Sequence, residues 1–139
     1  MSFLLDTNVI SELRKGSRCN SFVANWFDTI EDHEVYLSVL VIGEIRKGIE
    51  LVRRNDHLTA ARLEHWLQQI VDQYSDRILP IDQSVAEEWG RLNAPNPLPT
   101  IDALLAATAK IHHFVLATRN VDDIKRTGVS YINPFDAPV

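Results

Sequence analysis

Apolar and polar positions follow one another along this chain in two rhythms. Short unbroken apolar runs occur at Phe3-Leu4-Leu5, Val35-Tyr36-Leu37, Ile78-Leu79, Phe114-Val115-Leu116-Ala117 and Tyr131-Ile132. Runs of that length and kind read as strands buried on both faces, as in a parallel sheet. Between them the apolar positions recur every three or four residues. That spacing predicts a short helix from Thr7 to Arg14 stopped by Gly16, and a second helix carrying Phe22, Val23, Trp26, Phe27 and Ile30. It also predicts helices over Val39 to Arg54, around Leu63, Trp66, Leu67, Ile70, Val71 and Tyr74, over Gln83 to Asn93, and from Thr100 through Ala109. Strand and helix alternate, so the expected class is α/β with a parallel sheet covered on both faces.

Local signals refine this outline. Ser38 and Asp82 stand where they can cap the helices that follow, since a short side-chain oxygen satisfies a free N–H of the first turn. Pro80 puts the third strand at a sheet edge or at the strand's end. Arg53, Arg54, Asn55 and Asp56 form the turn of a helical hairpin. The run Ala94-Pro95-Asn96-Pro97-Leu98-Pro99 cannot be helical and makes a stiff loop. The aromatic stripe Phe22 to Ile30 is either core or a subunit interface, and the residues leave both open.

One helix carries an anomaly. At about 100° per residue, Val41, Ile45, Ile49 and Val52 share an apolar arc, while Arg46, Lys47, Glu50, Arg53 and Arg54 lie opposite. Glu44 falls inside the inward arc, between Leu51 and Gly48. A lone carboxylate facing a core needs a cation or a hydrogen-bond network, because an unpaired buried charge costs several kcal/mol. Either a structural ion pair with an arginine or a functional site answers that need.

Composition narrows the classes. The chain has 139 residues, 45% of them hydrophobic and 24% charged, which suits one globular domain with its own core. No apolar run approaches a membrane span, and no basic region followed by an apolar core marks a signal peptide. Cys19 is the single cysteine, which excludes an internal disulfide framework and fits the cytoplasm. With 19 acids against 14 bases the formal charge is −5, which argues against coating nucleic acid by bulk charge. A nuclease with its acids gathered round metal is compatible, since two divalent cations nearly cancel that charge.

The acids are what the order of elements brings together. Asp6 ends the first strand, Glu44 lies early in the helix after the second, Asp102 sits in the first turn of its helix, and Thr118-Arg119-Asn120-Val121-Asp122-Asp123 follow an inner strand. Taken singly, Asp6 and Asp102 read as helix-end acids favoured by capping and the macrodipole. Taken together, they share the carboxyl edge of a parallel sheet, where ligands of such folds bind. Carboxylates in one crevice repel one another unless a cation intervenes. With no histidine or thiolate pairs at zinc spacing, that cation would be Mg2+, or Mn2+, held by oxygen. Such a site suits phosphodiester hydrolysis by an activated water. No Gly-x-Ser-x-Gly, glycine-rich phosphate loop or His-Glu-x-x-His is present. His112 and His113 read as caps or solvated residues.

The motifs Leu5-Asp6-Thr7-Asn8-Val9, Leu37-Ser38 with Glu44 six residues on, Asp102-Ala103-x-x-Ala106-Ala107-Thr108-Ala109, Ala117-Thr118-Arg119-Asn120 and Asn133-Pro134-Phe135 resemble the PIN-domain family, and within it the VapC-type toxins of toxin–antitoxin pairs. The likeness runs from residue 3 to 135. It implies a three-layer αβα fold with a mainly parallel sheet of four or five strands. It also implies a Mg2+-dependent endoribonuclease that cuts structured RNA, often tRNA, and is silenced by a cognate antitoxin. In this family Asp6, Glu44 and Asp102 match the acidic triad, with Asp6 and Asp102 most directly on the metal. Asn120 or Asp123 completes the site, and Thr7, Asn8, Ser38, Thr118 and Arg119 match supporting polar positions. The resemblance further implies a homodimer and a larger assembly that meets promoter DNA only through the antitoxin. Arg46, Lys47, Arg53 and Arg54 are either RNA-backbone contacts or a solvated helix face. Two rivals stand beside this reading. One is a PIN scaffold acting as a regulatory or DNA-associated binding module. The other is an aspartyl-nucleophile phosphatase, whose usual second Asp two residues along is here Asn8.

Overall fold

The computed structural model describes residues 1–138. Five parallel strands form its centre: β1 (Phe3–Leu5), β2 (Val35–Ser38), β3 (Ile78–Leu79), β4 (Val115–Ala117) and β5 (Tyr131–Ile132), in the order β3-β2-β1-β4-β5. The helices are α1 (Thr7–Leu13), α2 (Ser21–Asp28), α3 (Val39–Arg53), α4 (His57–Gln73), α5 (Gln83–Asn93), α6 (Thr100–His112) and α7 (Val121–Lys125). From β1 to β3 the chain steps one way across the sheet, and from β4 to β5 it steps the other. Parallel crossovers are right-handed, so α1 to α4 cover one face and α5 to α7 the other. The packing agrees, with α1 against α2 and α3, α3 against α4, and α6 against α5 and α7. The αβα expectation holds, and β3 is an edge strand as Pro80 predicts.

Both faces of the inner strands are dry. Leu4, Leu5 and Leu37 are fully buried and Leu116 almost so, each removal from water worth about 1.5–3 kcal/mol. Ala103, Ala106 and Ala109 of α6 are buried, and the small side chains let that helix lie close to the sheet. Val23 of α2 is buried, and Trp26 meets Phe3 edge-on with ring centroids 5.3 Å apart. Of the aromatic stripe, Val23 is core, Trp26, Phe27 and Ile30 are partly buried against it, and Phe22 is exposed. The helical hairpin is present, and Asp56 caps α4 by accepting from Thr59 N at 3.0 Å.

Two local expectations change. Gly16, at φ +60, belongs to a 3-10 turn over Gly16–Arg18 that follows the end of α1 at Leu13. Neither role foreseen for the histidine pair describes His112: its Nε2 is buried without a hydrogen-bond partner among the described residues, and its ring stacks on Phe114 at 5.5 Å. His113 takes the left-handed conformation that terminates α6.

Candidate active site

The strand order reverses between β1 and β4. At such a switch point the crossovers leave in opposite directions and open a crevice at the carboxyl edge. Asp6 stands at the end of β1 and Thr118 at the end of β4, with the Asp6 N–H donating to Ala117 O at 2.9 Å. Asp6 is 5% exposed, so its carboxylate needs partners. Oδ1 accepts from Thr7 N at 2.7 Å, and Oδ2 accepts from the Thr118 hydroxyl at 2.7 Å and from Asn8 Nδ2 at 3.3 Å. Burial nevertheless pushes the Asp6 carboxyl above the usual carboxylate range, and the charge of Glu44 adds to the rise.

The other acids approach from three elements. Glu44, on the second turn of α3, accepts the Thr7 hydroxyl at 2.6 Å on Oε1. Among the described residues it makes no ion pair with an arginine, so the structural explanation for its position is replaced by this link to the residue after Asp6. It lies on the margin of the buried face of α3, half-buried rather than inward, because Leu51 and Gly48 beside it are exposed. Asp102 lies in the first turn of α6, half-buried, where no side chain caps the helix. Its carboxyl is raised first by burial and then by the fields of Asp6, Asp123 and Glu44, while the Asn120 side chain favours the charged form. Asp6, Glu44, Asp123 and the Asn120 side chain thus all act on Asp102 at this edge of the sheet.

The supporting residues divide. Thr118 is 1% exposed and joins Asp6 to the backbone of Asn120, whose N–H it accepts at 3.0 Å. Asn8 accepts the Arg119 N–H at 3.2 Å on Oδ1, so it ties Asp6 to the β4 loop. Ser38 is committed elsewhere: it is buried and accepts Leu40 N at 3.1 Å as the cap of α3. Asp102, Arg119, Asn120, Val121, Asp122 and Asp123 line an open crevice of about 310 Å³. Asp122, unassigned from the sequence, stands at its mouth and faces Lys125 at 3.8 Å. Phe135, which the sequence offered only as part of the Asn133-Pro134-Phe135 motif, lies under the Arg119 guanidinium, 4.4 Å from its ring centroid. The only sequence signal for that pair was the nearness of two polar motifs at neighbouring strand ends. A larger apolar cleft of about 610 Å³ opens elsewhere, between α2 and the β5 edge, lined by Phe22, Trp26, Tyr131 and Pro134. It carries none of Asp6, Glu44, Asp102 and Asp123.

The donor set fits a hard cation. Carboxylate and amide oxygens line the crevice, and at the neighbouring end of β1 Asp6 uses three of the about four acceptor positions of a carboxylate. Among the described residues no three acidic, histidine or cysteine side chains close on one point as a ready-made cage. Magnesium asks for none, since it keeps several waters and takes one or two carboxylates together with substrate phosphate.

Comparison with known proteins decides the family. The PIN domain model matches residues 3–129. The chain belongs to the PIN-domain family. Toxin FitB of Neisseria gonorrhoeae is 33% identical over 139 residues, covering 95% of this chain and 97% of that protein. The crystal structure of FitAcB from the same organism contains a chain that matches with a TM-score of 0.88 at 32% identity, over 97% of this chain and 99% of that one. VapC ribonuclease Y4jK of Sinorhizobium fredii is 31% identical over 96% of this chain and 97% of its own length. A toxin-antitoxin complex from Klebsiella pneumoniae matches with a TM-score of 0.71 at 25% identity, over 98% of this chain and all of that one. The fold is shared with these solved structures, and no helix among the described residues is long and apolar enough to cross a membrane.

Proposed function

We propose that this PIN-domain chain is the toxin of a toxin–antitoxin pair and a divalent-metal-dependent endoribonuclease acting on structured RNA, with an antitoxin protein as its cognate inhibitor. The observation that carries the reading is Asp6 at the strand end of the switch point, with Glu44 linked to its neighbour Thr7 by a hydrogen bond and Asp102 pushed towards protonation by burial and by the charges of Asp6, Asp123 and Glu44. Relatives named toxin and ribonuclease, similar along nearly their whole length, support it.

In this mechanism Asp6 and Asp102 would hold the ion, with Glu44 beside them. Mg2+, or Mn2+, when bound supplies a water of lowered pKa and neutralises charge growing on the phosphate and the leaving oxygen. Asp6 is held rigid by Thr7, Asn8 and Thr118, so it fixes where the ion sits. Glu44, oriented by the Thr7 hydroxyl, is placed to take a proton from the attacking water. Asn120, at the start of α7, and Asp123, in its first turn, face Asp102 and complete the rim. No covalent nucleophile is needed, and Asn8 stands where an aspartyl phosphatase would carry its second acid.

The test is purified chain against structured RNA, with Mg2+, with Mn2+ and with EDTA, reading RNA ends by sequencing. Growth is scored in parallel with and without the product of the adjacent small gene. Cleavage that needs the metal and is lost in folded Asp6→Asn supports the proposal. Undiminished cleavage by that variant, or cleavage indifferent to EDTA, removes it.

A further inference from the structure

Arg119 is the cation in the acid crevice, yet it neutralises none of the acids there. Asp122 faces Lys125 and Asp123 faces Arg126, each at 3.8 Å, while the Arg119 side chain makes no ion pair or hydrogen bond among the described residues. Its position is nevertheless determined twice. The Phe135 ring holds the guanidinium face 4.4 Å from its centroid. The Arg119 N–H donates to Asn8 Oδ1, and Asn8 donates in turn to Asp6 Oδ2. Stacking occupies the flat face and leaves the edge donors free, and that edge is what grips phosphate in bidentate fashion. The charge of Arg119 also reaches Glu12 on α1, whose carboxyl it helps to lower without an ion pair or hydrogen bond among the described residues, and the contact that holds the guanidinium is the Phe135 ring.

We propose that Arg119 is the phosphate-binding arm of this site, gripping a backbone phosphate of the RNA beside the one that is cut, and that Phe135 is the positioning residue that keeps its edge open. The inference rests on the ribonuclease reading. It gives the chain a way to attract a polyanion to an acidic crevice: the ion neutralises the scissile phosphate, and Arg119 its neighbour. It also gives a role to the Asn133-Pro134-Phe135 segment, in which Asn133 Oδ1 accepts the Phe135 N–H at 3.0 Å and so steadies the ring's backbone.

The experiment uses the full chain and a fluorescein-labelled RNA hairpin. Binding is read by anisotropy across a range of KCl concentrations, and single-turnover cleavage is read in the same buffers. Arg119→Gln is expected to weaken binding about tenfold and to reduce the slope of log affinity against log salt by about 0.7–0.9, the loss of one phosphate contact. Its maximal cleavage rate at saturation should stay within about threefold, and Mn2+ binding should be unchanged. Arg119→Lys should keep the salt slope while losing part of the affinity, because the charge stays and the fork goes. Phe135→Leu should also keep the slope and lose about two- to fivefold in affinity. Unchanged affinity and slope in Arg119→Gln overturn the proposal, as does a fall in maximal rate with binding intact. Thermal melting checks folding, and Arg119→Lys carries the comparison if Arg119→Gln does not fold. Anisotropy needs no cleavage. An inactive wild-type chain therefore defeats the ribonuclease reading, whereas an active one with an indifferent Arg119 defeats this inference alone.

Discussion

Replacing Thr118 by valine removes one oxygen and keeps the shape of the side chain. That hydroxyl donates to Asp6 Oδ2 at 2.7 Å and accepts the Asn120 N–H at 3.0 Å, in a place only 1% exposed, so water cannot stand in for it at Asp6. A hydrogen bond to a charged group contributes about 1.5–3 kcal/mol and a neutral one about 0.5–1.5 kcal/mol. Asn120 is exposed and its N–H can turn to solvent, so the second contribution lies at the low end. Thr118→Val is therefore expected to cost about 2–3 kcal/mol at neutral pH, and Thr118→Ser much less. The pH dependence has a definite sign. Burial already raises the Asp6 carboxyl, and the Thr118 hydrogen bond is the largest influence opposing it. Without that bond Asp6 rises further, and ionised Asp6 is what the mutation penalises. As pH falls through the native Asp6 range, the carboxyl protonates in both proteins and the penalty shrinks towards that of a neutral hydrogen bond. Urea unfolding of the three proteins, metal-free, at neutral pH and in mildly acidic buffer, checks both statements. A penalty under about 0.5 kcal/mol at neutral pH, or one that grows on acidification, refutes the account of how Asp6 is kept charged.

The neighbouring groups give further outcomes. Asp102 is raised by burial and by the charges of Asp6, Asp123 and Glu44. A raised native carboxyl carries a penalty that is full above its native range and absent below its unfolded one. Asp102→Asn should therefore stabilise the metal-free chain at neutral pH by about 0.5–2 kcal/mol, and the gain should disappear in acid; a lower Tm in EDTA at neutral pH counts against it. Mg2+ at about 100 times its Kd should stabilise the wild type by about 2.7 kcal/mol but neither Asp6→Asn nor Asp102→Asn, read by thermal shift. Glu88, 7% exposed, accepts Lys110 Nζ at 3.0 Å and Arg91 Nε at 3.1 Å and clamps α5 to α6, and the Lys110 hydrogen bond holds it below the usual range. Glu88→Gln should cost about 1–2 kcal/mol at neutral pH. That difference should vanish as pH falls through the native Glu88 range, with cleavage per folded molecule unchanged.

Strands and helices were legible because burial writes its period into the residues. Leu37 and Leu116 sit in runs with no polar face, and Val41, Ile45 and Ile49 recur as one turn does. Asp82 and Ser38 were legible as caps because the rule for them is local. Glu44 was legible only in part: its arc on α3 marked it as anomalous, but its partner is Thr7, an element away, and helical spacing cannot name a residue on another helix. The stacking of Arg119 on Phe135 was not legible, since it depends on two loops at the ends of β4 and β5 meeting in space. The partnerless His112 Nε2 was not legible either, because a histidine beside a helix end reads as polar while its ring packs on Phe114.

The two aspartates differ in a way that bears on how such a crevice works. Asp6 is buried, bonded by three donors from three residues, and unable to move without breaking them. Asp102 is half-buried and faces three other acids, with the Asn120 side chain favouring its charged form. A site of two rigid carboxylates would carry the full repulsion in every state, and one of two loose carboxylates would not set a position for an ion. One fixed and one yielding carboxylate lets the metal-free chain relax by moving or protonating Asp102 while Asp6 keeps the geometry. The switch point makes the division possible: the end of β1 is walled by β2 and β4 on either side, whereas the first turn of α6 follows the loop of residues 94–99 and meets solvent. On this argument Asp6→Glu, which keeps the charge and lengthens the arm, should damage cleavage far more than Asp102→Glu, and equal losses in the two variants would show that both acids are held alike.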